Sequence, residues 1–290
     1  MWNVWMLLDS AFPSGGFVQS NGLEASLQCG VLAEHHGRHG ADARHTEPSS
    51  VRHLVQFSLQ SLHASARCVL PFARAAWMRA GRLSVSQGEK VEKGLLAEIL
   101  QLDELLDERL SAVAITSESS RAQGAALLNT IYQAELAGSA ADSSVKVLLA
   151  WKQHIVQRSA PGHFAVVFGC VIAFVCSNQE VSNACMLSRL FLFWQARALL
   201  SAGVRLGMVG AIASQKIMQD LGPAIEILAR LGEEQMRACI HGSASGDHDW
   251  CGSDFIKLMD HLAELPTSTS PLLDNAACAH AHLYSRLFTS

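Results

Sequence analysis

Charge is what this chain has least of. Asp, Glu, Lys and Arg make up 17% of its 290 residues, against 49% apolar. A chain of this length can bury a sizeable core, and one so poor in charge either buries its apolar surface or shares it with partners. The net charge is −4 and no block of basic residues occurs, which argues against nucleic acid as a ligand. Tyrosine is scarce, with two residues, and isoleucine is sparse, while alanine, leucine and serine abound; that balance favours helix over sheet. The eight cysteines (Cys29, Cys68, Cys170, Cys176, Cys185, Cys239, Cys251, Cys278) never form C-x-x-C, and they fit buried thiols in a reducing compartment. The longest apolar run, Phe164 to Cys176, has 13 residues, too short to span a bilayer and right for a buried helix. Residues 1–12 contain Asp9 and lack a basic start and a cleavage site, so no secretory signal is expected. The expectation is a cytoplasmic protein that neither enters a membrane nor binds nucleic acid.

Backbone-shaping residues crowd the stretch from Asp9 to Glu24. Pro13 fixes its own φ and pushes Phe12 out of helical space. Gly15 and Gly16 permit positive φ, and Asn21-Gly22 makes a second break before Leu23-Glu24 restarts a helical pattern. The reading is helix, tight turn, connector, helix, with Pro13, Gly15, Gly16 and Gly22 as the structural turn residues. Phe12, Phe17, Val18 and Leu23 lie within it, so the turn is packed. Ser14 has no G-x-S-x-G frame and no G-K-[ST] follows, which excludes a nucleophile elbow and a phosphate loop.

Helical spacing dominates the rest. It predicts helices over 2–9, 51–80 (kinked at Pro71 and stopped at Gly81), 89–115, 117–137, 143–157, 163–176, 180–209 (one or two helices), 212–231, 233–240, 254–264 and 272–285, with 17–32 as the second segment. The run 163–176 belongs at the centre. Strand alternation and fixed repeats are missing. The fold class is all-α, a single-domain bundle of roughly ten helices over 1–290. It carries a histidine-rich loop insert at 34–48 and a C-terminal partner-binding tail at 280–290.

Few residues offer chemistry. His35, His36 and His39 could bring imidazoles together, weak candidates for a metal such as nickel or zinc on a loop of no fixed geometry; a flexible surface insert is the other reading. Glu98, Asp103, Glu104, Asp107 and Glu108 are expected to form the solvated face of a helix whose opposite stripe is leucine-rich, an acidic metal site being the other reading. His163, after Pro161-Gly162, is either a satisfied buried histidine or a ligand or base. The tail from His280 to Ser290 combines Leu283, Tyr284, Arg286, Leu287 and Phe288, types enriched at interface hot spots. It is either docked on its own domain or ordered by a partner.

Four separated pieces carry a resemblance. D-S-A-F-P-S-G-G-F-x-x-S-x-G-L-E at 9–24 resembles the opening signature of the urease accessory protein F family, plant or eukaryotic type. Gly162–Gly169 is similar to its G-H-F-x-x-V-F-G segment, Ser201–Gly210 to its S-A-x-x-R-L-x-x-x-G segment, and His280–Ser290 to its H-x-x-L-Y-S-R-L-F-x-S ending. Ser270-Pro271-Leu272-Leu273-Asp274 resembles the S-P-L-L-D segment of plant-type members. Two departures stand out. Gln19 replaces the histidine of G-G-F-x-H-S. Ser117 and Glu118 precede an A-S-x-x-Q-G-like segment where a basic residue is usual.

The resemblance implies a dimeric, non-catalytic helical adaptor. It would bind accessory protein D/H, recruit the GTPase G and act in nickel insertion into apo-urease. The complex would handle nickel, with no cofactor bound tightly by this chain. Tyr284, Arg286, Leu287 and Phe288 are the expected partner-docking residues; Trp2, Arg189 and Phe193 are weaker candidates for subunit or partner contacts. Two other readings are a hydrolase with a site near His163 and the cysteines, and a membrane-peripheral protein using its apolar helices.

Overall fold

Residues 164–175 give a helix almost no polar face, so they are stable only inside. The helix Phe164–Val175 is buried along its length except at the partly exposed Ala173 and Phe174. The computed structural model describes residues 2–9, 12, 16, 19–30, 49–81, 83, 88–134, 142–176, 181, 183–240, 252–280, 282–283 and 285–289, with the backbone alone at 232–240 and 252–253. Among them are twelve helices and no strand. In chain order these are α1 (Trp2–Leu8), α2 (Leu23–Gln28), α3 (Ser49–Cys68), α4 (Leu70–Gly81), α5 (Glu89–Leu110), α6 (Ala114–Gln133), α7 (Ser143–Val156), α8 (Phe164–Val175), α9 (Ala184–Arg205), α10 (Ala211–Ile240), α11 (Gly252–Glu264) and α12 (Pro271–His280).

Around α8 pack α4, α6 and α9, with α3 and α10 against α9, α5 against α7, and α11 against α10. Small residues let α4 come close: a Cβ on Gly169 would sit 2.2 Å from the Ala73 carbonyl oxygen and 3.0 Å from the Ala76 Cβ. On the other side Phe164 stacks on Trp194 with centroids 4.3 Å apart, and Phe168 meets Phe191 edge-on at 5.4 Å. One hydrophobic cluster runs from Val4 of α1 to Phe288 near the end of the chain.

Several boundaries differ from the sequence reading, and three stand out. The expected helix 51–80 is two helices, α3 and α4, interrupted at Val69. Pro71 has no N–H to return to Arg67, so it breaks the run and takes a place in the first turn of α4. The expected gap at Gly232 is closed, because α10 continues through it. A glycine inside a helix costs about 1 kcal/mol, and buried Arg74 anchors that end of α10. Its Nη2 donates to the Ala229 carbonyl at 2.7 Å and its Nε to Ser188 Oγ at 2.7 Å. The last helix ends at His280, five residues short of expectation. At its start the Ser270 carbonyl accepts the N–H groups of Leu273 and Asp274, and Pro271 fills the position whose N–H would have no partner.

Candidate partner-docking site

The turn before α2 places one carboxylate under the end of the chain. Asn21 and Gly22 have φ of 51° and 82°, and α2 lies against α12 so closely that a Cβ on Gly22 would be 3.2 Å from the Ala277 nitrogen. Glu24, two residues on, is 2% exposed. Its Oε1 accepts the Leu287 N–H at 2.6 Å and its Oε2 the Phe288 N–H at 3.1 Å. Oε2 also meets His280 Nε2 at 3.1 Å. Gln28 Nε2 donates to the Ser285 carbonyl at 3.2 Å. The Phe288 side chain is buried, with the Arg205 guanidinium 4.2 Å over its ring.

The expected docking residues therefore divide. Phe288 faces the body of its own chain, whereas Arg286 is exposed and Leu287 is 60% exposed. Tyr284 lies outside the described residues, as do Pro13, Gly15, His35, His36 and His39. Gly16 is buried. Trp2 is 75% exposed and Trp5 64%, on a helix held by buried Val4 and Leu7 and by Asn3 Nδ2 donating to the Val175 carbonyl at 2.6 Å. Arg189 pairs with Glu226 of α10 at 2.8 Å, and Phe193 is partly buried on α9.

Glu24, His280 and Arg205 were missed as site residues. Each nevertheless lies in a signature segment: Glu24 closes the first, Arg205 is the arginine of S-A-x-x-R-L, and His280 opens the last. One departure, Gln19, meets the segment that follows the other. Gln19, buried, accepts from Ser119 Oγ and Gln123 Nε2 at its Oε1 and donates from Nε2 to the Ser119 carbonyl at 3.2 Å. An uncharged amide thus fills the place of an imidazole with its hydrogen bonds made. Beside it is a cavity of about 170 Å³ whose walls include Asn21, Gln123, Phe164, Trp194 and Asp274. Four of the singled-out segments, far apart in sequence, thus border one space.

His163 is wholly buried at the start of α8. Its Nε2 is 2.9 Å from Asp107 Oδ1 and its Nδ1 3.1 Å from Ser120 Oγ. Burial brings the imidazole down to about 4, against the pull of Asp107. The Ser120–His163–Asp107 chain has the residue types of a catalytic triad but a base far too weak near neutrality. Ser120 lies within α6 rather than on a shaped turn, and its Oγ accepts the Phe164 N–H at 3.2 Å. Burial also raises the Cys170 thiol and takes Cys176 up to about 11, which leaves both poor nucleophiles. Below them Asp103 accepts the N–H groups of Gly162 at 2.6 Å and His163 at 2.8 Å. Burial lifts its carboxyl to about 7 despite those bonds. Among the described residues no group of three or more His, Cys, Asp or Glu is placed to hold a metal ion, and no helix is long and apolar enough to cross a membrane.

Comparison with known proteins agrees with the signature segments. The chain is 26% identical to urease accessory protein 6 of Cryptococcus neoformans over 99% of its own length and 96% of that protein. It is 25% identical to urease accessory protein F of Oryza sativa over 99% and 84% of the two chains, and 26% identical to that of Arabidopsis thaliana over 100% and 92%. These alignments take in both the Glu24 turn and the tail. The UreF family model matches residues 48–222. With more than half of its length matched by that model, this all-helical chain belongs to the UreF family.

Proposed function

We propose that the chain is a non-catalytic adaptor in urease maturation. It assembles as a homodimer with accessory protein D/H and the GTPase G on apo-urease, in the cytoplasm. Nickel is the cargo of that assembly, and no cofactor is held tightly by this chain. The observation that carries the reading is near full-length similarity to urease accessory proteins of fungi and plants. The outward-facing Arg286 and Leu287 supply the docking surface, since an exposed apolar and guanidinium pair beside an anchored ring suits a protein contact. Trp2, Phe193 and Tyr284 are further contact candidates.

The experiment is purification of a tagged chain from urease-producing cells. Urease and a P-loop GTPase are expected to accompany it, and cells without the chain should contain urease protein of low activity. Fully active urease in those cells would sink the adaptor reading. Equilibrium dialysis with nickel, with and without residues 34–48, measures any direct metal binding by His35, His36 and His39.

A further inference from the structure

We infer that Glu24 is a positioning residue for partner docking: its carboxylate holds the tail in the conformation that presents Arg286 and Leu287 before a partner arrives. This rests on the adaptor reading above. The carboxylate accepts two successive backbone N–H groups, at 2.6 Å and 3.1 Å, so it fixes the path of the chain at Leu287 and Phe288 rather than one side chain. Hydrogen bonds to an ionised acceptor are about twice as strong as neutral ones.

Anchors flank the presented pair. On one side Gln28 holds the Ser285 carbonyl; on the other the Phe288 ring lies beneath Arg205. Between these points the two side chains turned outward are those of Arg286 and Leu287. Glu24 is 2% exposed and has no surface for a partner to touch, so its effect must pass through the tail. If the tail left, a buried carboxylate would lose two of its donors, which opposes release. The surface that fits such a tail has an apolar hole for Leu287 and a carboxylate or carbonyl group within reach of Arg286. Binding a preordered segment avoids the entropy of ordering it on contact.

The test compares full-length wild type with Glu24→Ala, Glu24→Gln and the double variant Arg286→Ala/Leu287→Ala. Association and dissociation rates are measured against the purified D/H-type partner. Loss of preordering lowers the fraction of competent tail, and apparent affinity falls by that fraction. Glu24→Ala should slow association roughly ten-fold or more with little change in dissociation, and Glu24→Gln should fall between it and wild type. The double variant should speed dissociation. If the double variant loses binding while both Glu24 variants associate like wild type, the positioning role is wrong and the adaptor reading stands. If the double variant also binds normally, the docking surface itself has been misassigned. Should Glu24→Ala fail to fold, amide hydrogen exchange in the wild-type protein decides. Slow exchange at both Leu287 and Phe288 supports the inference, and exchange at the free-chain rate at either overturns it.

Discussion

Asp103 and Glu24 are the same device in two settings. Each is a buried carboxylate that accepts two successive backbone N–H groups from a distant part of the chain, Gly162-His163 in one case and Leu287-Phe288 in the other. Around Asp103 everything is closed: His163 is wholly buried, and α6 is pressed onto the turn so tightly that a Cβ on Gly124 would lie 2.0 Å from the Gly162 carbonyl oxygen. Around Glu24 only one side is closed, because the residues next to the held amides point into solvent. The first carboxylate seats a core helix; the second seats a chain end and leaves part of it on offer. The difference lies in what surrounds the bonds rather than in the bonds themselves.

The largest effects should come from opening the closed setting. Asp103→Ala strands two buried N–H groups, each costing roughly 1–3 kcal/mol, so a loss of about 3–5 kcal/mol in urea unfolding is expected. Gly124→Ala should be at least as damaging, because the nearest atoms are backbone that cannot swing away. A loss below 1 kcal/mol for both would mean that the turn is looser than its geometry. The same turn also predicts opposed pH dependences. His163, held near 4 instead of 6.5, contributes stability that is complete above pH 6.5 and is lost as pH falls towards 4. Asp103, held near 7 instead of 3.8, contributes stability that is complete below pH 3.8 and is lost as pH rises towards 7. Between about 4 and 6.5 the slopes oppose. Relative to wild type, Asp103→Asn should therefore gain up to roughly 3 kcal/mol of stability between pH 4 and pH 6.5. A pH series of urea midpoints checks this, and parallel curves would refute it.

Much of the closed setting could be read from the sequence. The apolar run at 164–176 placed a central helix, and local spacing found nearly every other one. At Gly232 local rules misjudged a boundary where a distant contact intervenes, Arg74 reaching the Ala229 carbonyl beyond which α10 continues. The open setting was harder to see. Glu24 and Leu287 are 263 residues apart, and no periodicity links them. Gln19 and Ser119, 100 residues apart, met with the same blindness. The tail stood out by composition and by its resemblance to a family ending, and neither could tell Phe288, turned inward, from Leu287, turned outward.

Opening the second setting should cost less stability than opening the first. In Glu24→Ala the released N–H groups of Leu287 and Phe288 can reach water, so a loss of about 1–2 kcal/mol is expected, with faster exchange confined to the tail and its contacts. A loss equal to that of Asp103→Ala would erase the contrast between closed and open carboxylates.

The smallest stability effect belongs to Arg286→Ala/Leu287→Ala. Both side chains are exposed, and surface changes of this kind usually stay within about 0.5 kcal/mol. Helicity and the urea midpoint should match wild type, and Phe288 should remain under Arg205. On the proposed docking role, urease activation in cells should nonetheless fall, because this exposed pair is the surface assigned to the partner. Phe288→Ala should behave in the opposite order, losing packing first and partner binding as a consequence. If the double variant were instead the less stable of the two, the tail would be folded for its own chain alone, and Glu24 would be a second Asp103.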